Sequence, residues 1–153
     1  MSAQNIIAYL GIVDNKNNPV VLHNFEKNQN EELNFQMNVF CGLDIMEGKI
    51  KEALYQNSLL NRVYLSDDEY DVYGYQTLTK TKFILIIKQR NTLDTYDDTK
   101  VINVFKEIQK IYQQDLFNPF NYYKSGHYKP SQILFKNLDT KLQKQQEEFS
   151  RMQ

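Results

Sequence analysis

Four carboxylates fall close together at Asp67, Asp68, Glu69 and Asp71, and carboxylate oxygens are the ligands a calcium ion takes. A calcium loop, however, spaces its ligands at alternate positions, with a glycine at the bend and a closing glutamate. Three consecutive acids with a fourth after Tyr70 do not keep that spacing, so a solvated hairpin turn is expected here. Zinc and nucleophilic chemistry draw on cysteine and histidine. His23, Cys41 and His127 are the whole supply, and they match no zinc spacing. The chain has no Gly-x-Ser-x-Gly elbow, no phosphate-cradling glycine loop and no Cys–His signature. No catalytic residue, cofactor or metal ligand is therefore assigned, and a small enzyme or ligand-binding domain stands only as an alternative.

The totals narrow the classes further. A chain of 153 residues can bury a core without staples, which favours one domain. Its formal charge of −1 supplies no basic stripe for nucleic acid. Cys41 has no second cysteine to pair with, so a reducing, cytoplasmic setting is expected. A buried small hydrophobe is the expected fate of that cysteine, with acylation beside Phe40 as the alternative. The start, Met-Ser-Ala-Gln-Asn, lacks the basic flank of a signal peptide, and no apolar run reaches the ~18 residues of a membrane helix. A myristoylation start and a prenylation box are also missing. Membranes are thus expected to be reached through partners, without direct insertion.

The elements that would position any site are organised around Tyr70–Lys88. Its first half is rich in Tyr, Val and Thr, and its second holds Phe83-Ile84-Leu85-Ile86-Ile87 without a break. Strand side chains alternate between faces, so an unbroken apolar run predicts a strand covered on both. Leu78-Thr79-Lys80-Thr81 is the hairpin loop between the halves. Ile6–Val13 reads as a second inner strand, and turn residues Asp14–Pro19 lead into an outer strand at Val20–His23. Leu33, Met37, Phe40, Leu43, Met46, Ile50, Ala53 and Leu54 recur at helical steps and predict a long amphipathic helix. Phe35, Met37 and Val39 alternate as well, which makes a strand the minor reading. Gly42 and Gly48 in that helix suggest close approach to the sheet or to a partner.

Leu59–Leu65 is expected as an edge strand. A second helix, capped at Thr95 or Asp97, carries Val101, Val104, Phe105, Ile108 and Tyr112 and stops at Pro119. Ser131 is the N-cap of a third helix bearing Leu134, Phe135, Leu138 and Leu142. The resulting order is β-β-α-β-β-β-α-α: an α+β fold with a five-stranded antiparallel sheet ordered 2-1-5-4-3. The first helix is expected on one face and the other two on the opposite face, as three layers. Residues 1–142 form the domain and 143–153 a polar, Gln-rich tail.

That order, with Tyr70-Asp71-Val72-Tyr73-Gly74-Tyr75, Thr81-Lys82-Phe83, Asn118-Pro119-Phe120 and Gly42-Leu43-Asp44-Ile45-Met46, resembles the sedlin family. These are longin-fold small subunits of the transport protein particle (TRAPP) complexes. The Tyr73-Gly74-Tyr75 hairpin looks closer to the family's subunit 2-like branch than to sedlin itself. The resemblance runs from about Ile6 to Leu142, while the Tyr122–Lys129 loop and the Gln-rich tail depart from the family's pattern. It implies a longin/profilin-like fold and an adaptor that joins small core subunits to a large peripheral subunit. Such assemblies promote nucleotide exchange on Rab-type GTPases in ER-to-Golgi and Golgi traffic, so the implied location is peripheral to those membranes.

The resemblance also implies a site. The family places an aspartate on its first helix where this chain has Asp44, whose carboxylate could accept hydrogen bonds from a partner. Asn118-Pro119-Phe120 has two readings: a docking corner, or a helix stop whose Phe120 plugs the core. Helix termination favours the second. A longin regulatory domain of a SNARE is a further alternative, disfavoured because neither a heptad-patterned helix nor an anchor follows.

Overall fold

Ile7–Val13 (β1) is buried along its whole length, as its two-sided apolar run requires. It lies between Pro19–Asn24 (β2) and Lys82–Lys88 (β5), and the sheet continues through Tyr70–Gln76 (β4) to Leu59–Ser66 (β3). All four pairings are antiparallel, in the order β2-β1-β5-β4-β3. Three helices, Glu32–Glu52 (α1), Asp98–Leu116 (α2) and Gln132–Ser150 (α3), complete the α+β class. The computed structural model describes residues 7–26, 29–52, 59–66, 70–77, 79–88, 98–122 and 128–150. Those residues fall in two compact units, Met1–Thr95 and Tyr96–Gln153.

In the first unit, α1 lies against β1, β3, β4 and β5. The alternative of a strand across Phe35–Val39 is thereby excluded. Phe35, Val39 and Leu43 point inward onto Ala8, Tyr9, Val13, Val72, Ile84 and Ile86. Leu43 keeps the inward place expected of it, but Leu33 is 68% exposed, Met37 57% and Phe40 44%, against the expected stripe. Two interleaved apolar stripes run along this helix. Periodicity alone does not say which one the sheet takes, and β-branched Val39 beside Phe35 fills the space above Gly11.

That space is narrow. A Cβ at Gly11 would sit 2.8 Å from Val39 Cγ1, inside contact distance, whereas one at Gly42 would sit 3.4 Å from Val72 Cγ1. Gly11→Ala is therefore expected to destabilise by about 1–3 kcal/mol through overpacking. Gly42→Ala is expected to stabilise by up to about 1 kcal/mol through helix propensity. Urea unfolding of the two variants checks the opposite signs.

Turn chemistry matches the hairpins. The Asp14 carboxylate accepts hydrogen bonds from the Lys16 and Asn18 amides, both 2.9 Å, and Asn17 takes a left-handed φ of 64°. Lys80 does the same in the β4–β5 loop, with φ of 66°. Asp71 corrects the solvated-turn expectation: it lies in β4 and is 2% exposed. Asp67, Asp68 and Glu69, and the expected cap at Thr95 or Asp97, lie outside the described residues.

In the second unit, α2 and α3 pack on each other. Val101, Val104, Phe105, Ile108 and Tyr112 are all buried, as are Leu134, Leu138 and Leu142. Ser131 caps α3, its hydroxyl accepting from the Leu134 amide at 3.3 Å. The third helix runs to Ser150, into the segment read as tail.

Candidate functional site

Among the described residues, the exposed large hydrophobic side chains of the first unit, Leu33, Met37, Phe40 and Ile45, all lie on α1. Leu33, Met37 and Phe40 recur at helical spacing with exposed Cys41, Asp44 and Ile45. Cys41 is a correction, since burial was expected and the structure turns it to solvent. Its neighbour Gly42, not the cysteine, faces the sheet beside Val72 and Ile84.

Polar clamps near both ends hold this face in place. At the start of α1, the Glu32 carboxylate accepts from the Tyr9 hydroxyl at 2.8 Å. It also accepts from the Asn24 amide at 3.0 Å and the Gln36 amide at 3.1 Å. Toward the other end, Glu47 Oε1 accepts from Lys82 Nζ at 3.2 Å and from the Asn17 amide at 2.8 Å. Lys82 also donates to Asn17 Oδ1 at 2.8 Å, which ties the first hairpin to the helix. With Phe35 and Val39 buried between the clamps, α1 cannot roll its apolar stripe inward without breaking both.

Burial alone pushes the Glu32 carboxyl up, but the donors Tyr9, Gln36 and Asn24 and the charge of His23 outweigh it and hold it below the usual range. Tyr9 is pushed up, first by burial and then by Glu32. A carboxylate depressed in the folded state stabilises fully above its unfolded value of about 4.3 and loses that contribution as pH falls through the folded value. Glu32→Gln should therefore lose less stability than the wild type on acidification below about pH 4. Urea midpoints compared between pH 6 and pH 3 measure the difference.

The second surface is the corner after α2. Leu116 ends the helix before Pro119 is reached, and Pro119–Asn121 forms a 3-10 turn capped by Asn118. The Asn118 side chain accepts from the Phe120 amide at 3.1 Å. Phe120 is 92% exposed, which overturns the core-plug reading. Phe117 at 76% and Ile133 at 65% also face outward in this unit. Asn118, Pro119 and Phe120 are thus brought together as one turn, while Asp44 belongs to the other unit.

Asp115 is the residue that sequence reasoning missed. Only 8% exposed, it accepts from the Tyr128 hydroxyl and from both the amide and the hydroxyl of Ser131. Tyr128 is pushed up by burial and then by this carboxylate. Tyr122 and Tyr128 bridge the base of the loop, and the loop residues Lys124 and His127 lie outside the described set. An aspartate one position before the last residue of a polar-looking helix end gave no warning of burial.

Among the described residues no helix is long and apolar enough to cross a membrane, and no three His, Cys, Asp or Glu side chains converge as metal ligands.

The family model for sedlin matches residues 12–146. The chain belongs to the sedlin family. A relative of this sedlin-family chain in Dictyostelium discoideum, named trafficking protein particle complex subunit 2-like protein, is 34% identical over 120 residues. The match covers 74% of this chain and 81% of that one. Proteins of the same name from Taeniopygia guttata and Xenopus tropicalis are 30% and 29% identical over 93 residues, 58% of this chain and 66% of theirs. Both surfaces of the sedlin-family chain, α1 and the Asn-Pro-Phe corner, fall inside the matched span of residues 12–146.

Proposed function

We propose that this chain is a non-catalytic adaptor subunit of a TRAPP-type vesicle-tethering complex. It has a longin-like fold and works in the cytoplasm, peripheral to ER–Golgi and Golgi membranes. Its partners are the small core subunits and a large peripheral subunit, in an assembly that promotes nucleotide exchange on a Rab-type GTPase. The observation that carries this reading is the outward face of α1, where Leu33, Met37 and Phe40 are exposed beside Asp44. Clustered exposed apolar side chains on a rigid helix are what a partner-binding surface requires. Asp44 adds an acceptor at its edge, and the names of the relatives supply the kind of assembly. Asn118, Pro119 and Phe120 provide a second contact on the other unit.

Asp44→Tyr tests the reading. Asp44 is exposed, so the variant should unfold at the same urea concentration as the wild type. Recovery of other TRAPP subunits on the tagged variant should fall several-fold. Unchanged recovery would remove Asp44 from the interface.

A further inference from the structure

Leu33, Met37, Phe40 and Asp44 follow one another at steps of four, three and four residues. At ~100° per residue these positions fall within about 60° of one another around α1. All are exposed, on the side away from the buried Phe35, Val39 and Leu43. Steps of four and three are the spacing of a seam along which one helix packs on another. From Leu33 to Asp44 the seam runs about 17 Å, or roughly three turns.

Asp44 decides what the seam accepts. A partner that covers Met37 and Phe40 also covers Asp44, and a carboxylate taken out of water needs a counter-charge. Its own helix supplies none. The neighbours of Asp44 at three and four residues, Phe40, Cys41, Glu47 and Gly48, include no cation. From Gln29 to Glu47 the chain holds Glu31, Glu32, Asp44 and Glu47 but no lysine, arginine or histidine. Lys82, from β5, reaches Glu47 and Asn17.

Charge and shape then separate the occupants. A second copy brings the same stretch without a cation, so self-pairing leaves Asp44 covered and without a counter-charge. An anionic membrane surface repels the carboxylate. An extended segment docks on a sheet edge, which a helix face does not offer.

We propose that the seam takes one amphipathic helix of a partner chain, with apolar side chains at three- and four-residue steps over Leu33, Met37 and Phe40. An arginine or lysine of that helix pairs with Asp44. The pair fixes the register, as one polar residue does within an otherwise apolar seam. This rests on the adaptor reading of α1 and adds the chemistry of what docks there.

The test displays a library of helical peptides of about four turns against the full chain, with seam positions randomised and the remainder alanine or glutamine. Enriched peptides should carry apolar residues at most seam positions and arginine or lysine at one. By fluorescence anisotropy they should bind Asp44→Lys about tenfold or more weakly, and replacing their cation with glutamate should restore that binding. Met37→Glu, Phe40→Glu should also bind them about tenfold or more weakly. Asp44 is exposed, so Asp44→Lys should keep the wild-type urea midpoint, which separates lost contact from lost fold. In sedimentation equilibrium the wild type and the double variant should have the same mass. A wild-type dimer that the double variant breaks would place a second copy on the seam and overturn the proposal. Enrichment of peptides without a cation, equal binding to Asp44→Lys, or no enrichment at all overturns it as well. If the double variant loses its TRAPP subunits while no cationic helix is selected, this inference fails and the adaptor reading stands.

Discussion

Asp115→Ala should lower the stability of the chain by about 2–4 kcal/mol, the range for stranding buried donors. The substitution removes the acceptor for the Tyr128 hydroxyl and for the amide and hydroxyl of Ser131, all around a residue 8% exposed. Tyr128 and Ser131 are themselves half-buried, at the loop base that Tyr122 and Tyr128 bridge. The cost should fall as a shift in the urea midpoint. Asp115→Asn should lie between, since its amide keeps one acceptor but sets donors against donors. Tyr128→Phe removes one donor and leaves the others satisfied, and should cost about 1 kcal/mol. Equal stability of Asp115→Ala and wild type would show that the clasp contributes nothing.

Placing charge on the outward face of α1 should have the opposite signature, a large loss of assembly with little loss of stability. The double variant Met37→Glu, Phe40→Glu changes side chains that are 57% and 44% exposed. Its unfolding free energy should change by about 1 kcal/mol or less, the usual range away from the core. Recovery of TRAPP subunits should drop about tenfold or more, because a charge buried at an interface core finds no partner. Phe35→Ala is the matched control on the inward face. Phe35 is 1% exposed and stacked on Tyr9, with ring centroids 5.3 Å apart, so its truncation should cost about 3–5 kcal/mol. Inward and outward faces of one helix are thus separable by which measurement each disturbs.

How legible this was depends on what each residue pattern encodes. β1 and β5 were readable because an unbroken run such as Phe83–Ile87 has few other uses in a soluble fold. Pro19 marked an outer strand because it cannot donate to a second neighbour. Ser131 announced the start of α3, since its hydroxyl suits a cap far better than a helix interior. The orientation of α1 was not readable. Phe35, Val39 and Leu43 form one stripe and Leu33, Met37 and Phe40 another, and both are apolar. The stripe left outside, Leu33, Met37 and Phe40, is the surface on which the adaptor proposal rests.

The same limit explains the rest of the site. Helix termination at Pro119 favoured Phe120 as a core plug, but the Asn118 cap and Pro119 fix a 3-10 turn that leaves the ring outside. Asp115 drew no reading from the sequence because its donors come from residues Tyr128 and Ser131, well beyond it in the chain. Asp44 was assigned from family resemblance, and it is exposed on α1.

Affinity purification of the tagged chain from the cells that make it, with identification of the co-purifying proteins, tests the adaptor claim most directly. Subunits of a TRAPP-type complex should be recovered with the wild type at near-stoichiometric levels and be depleted with Met37→Glu, Phe40→Glu. Recovery of the chain with no tethering subunit, or equal recovery of those subunits with the double variant, would contradict it.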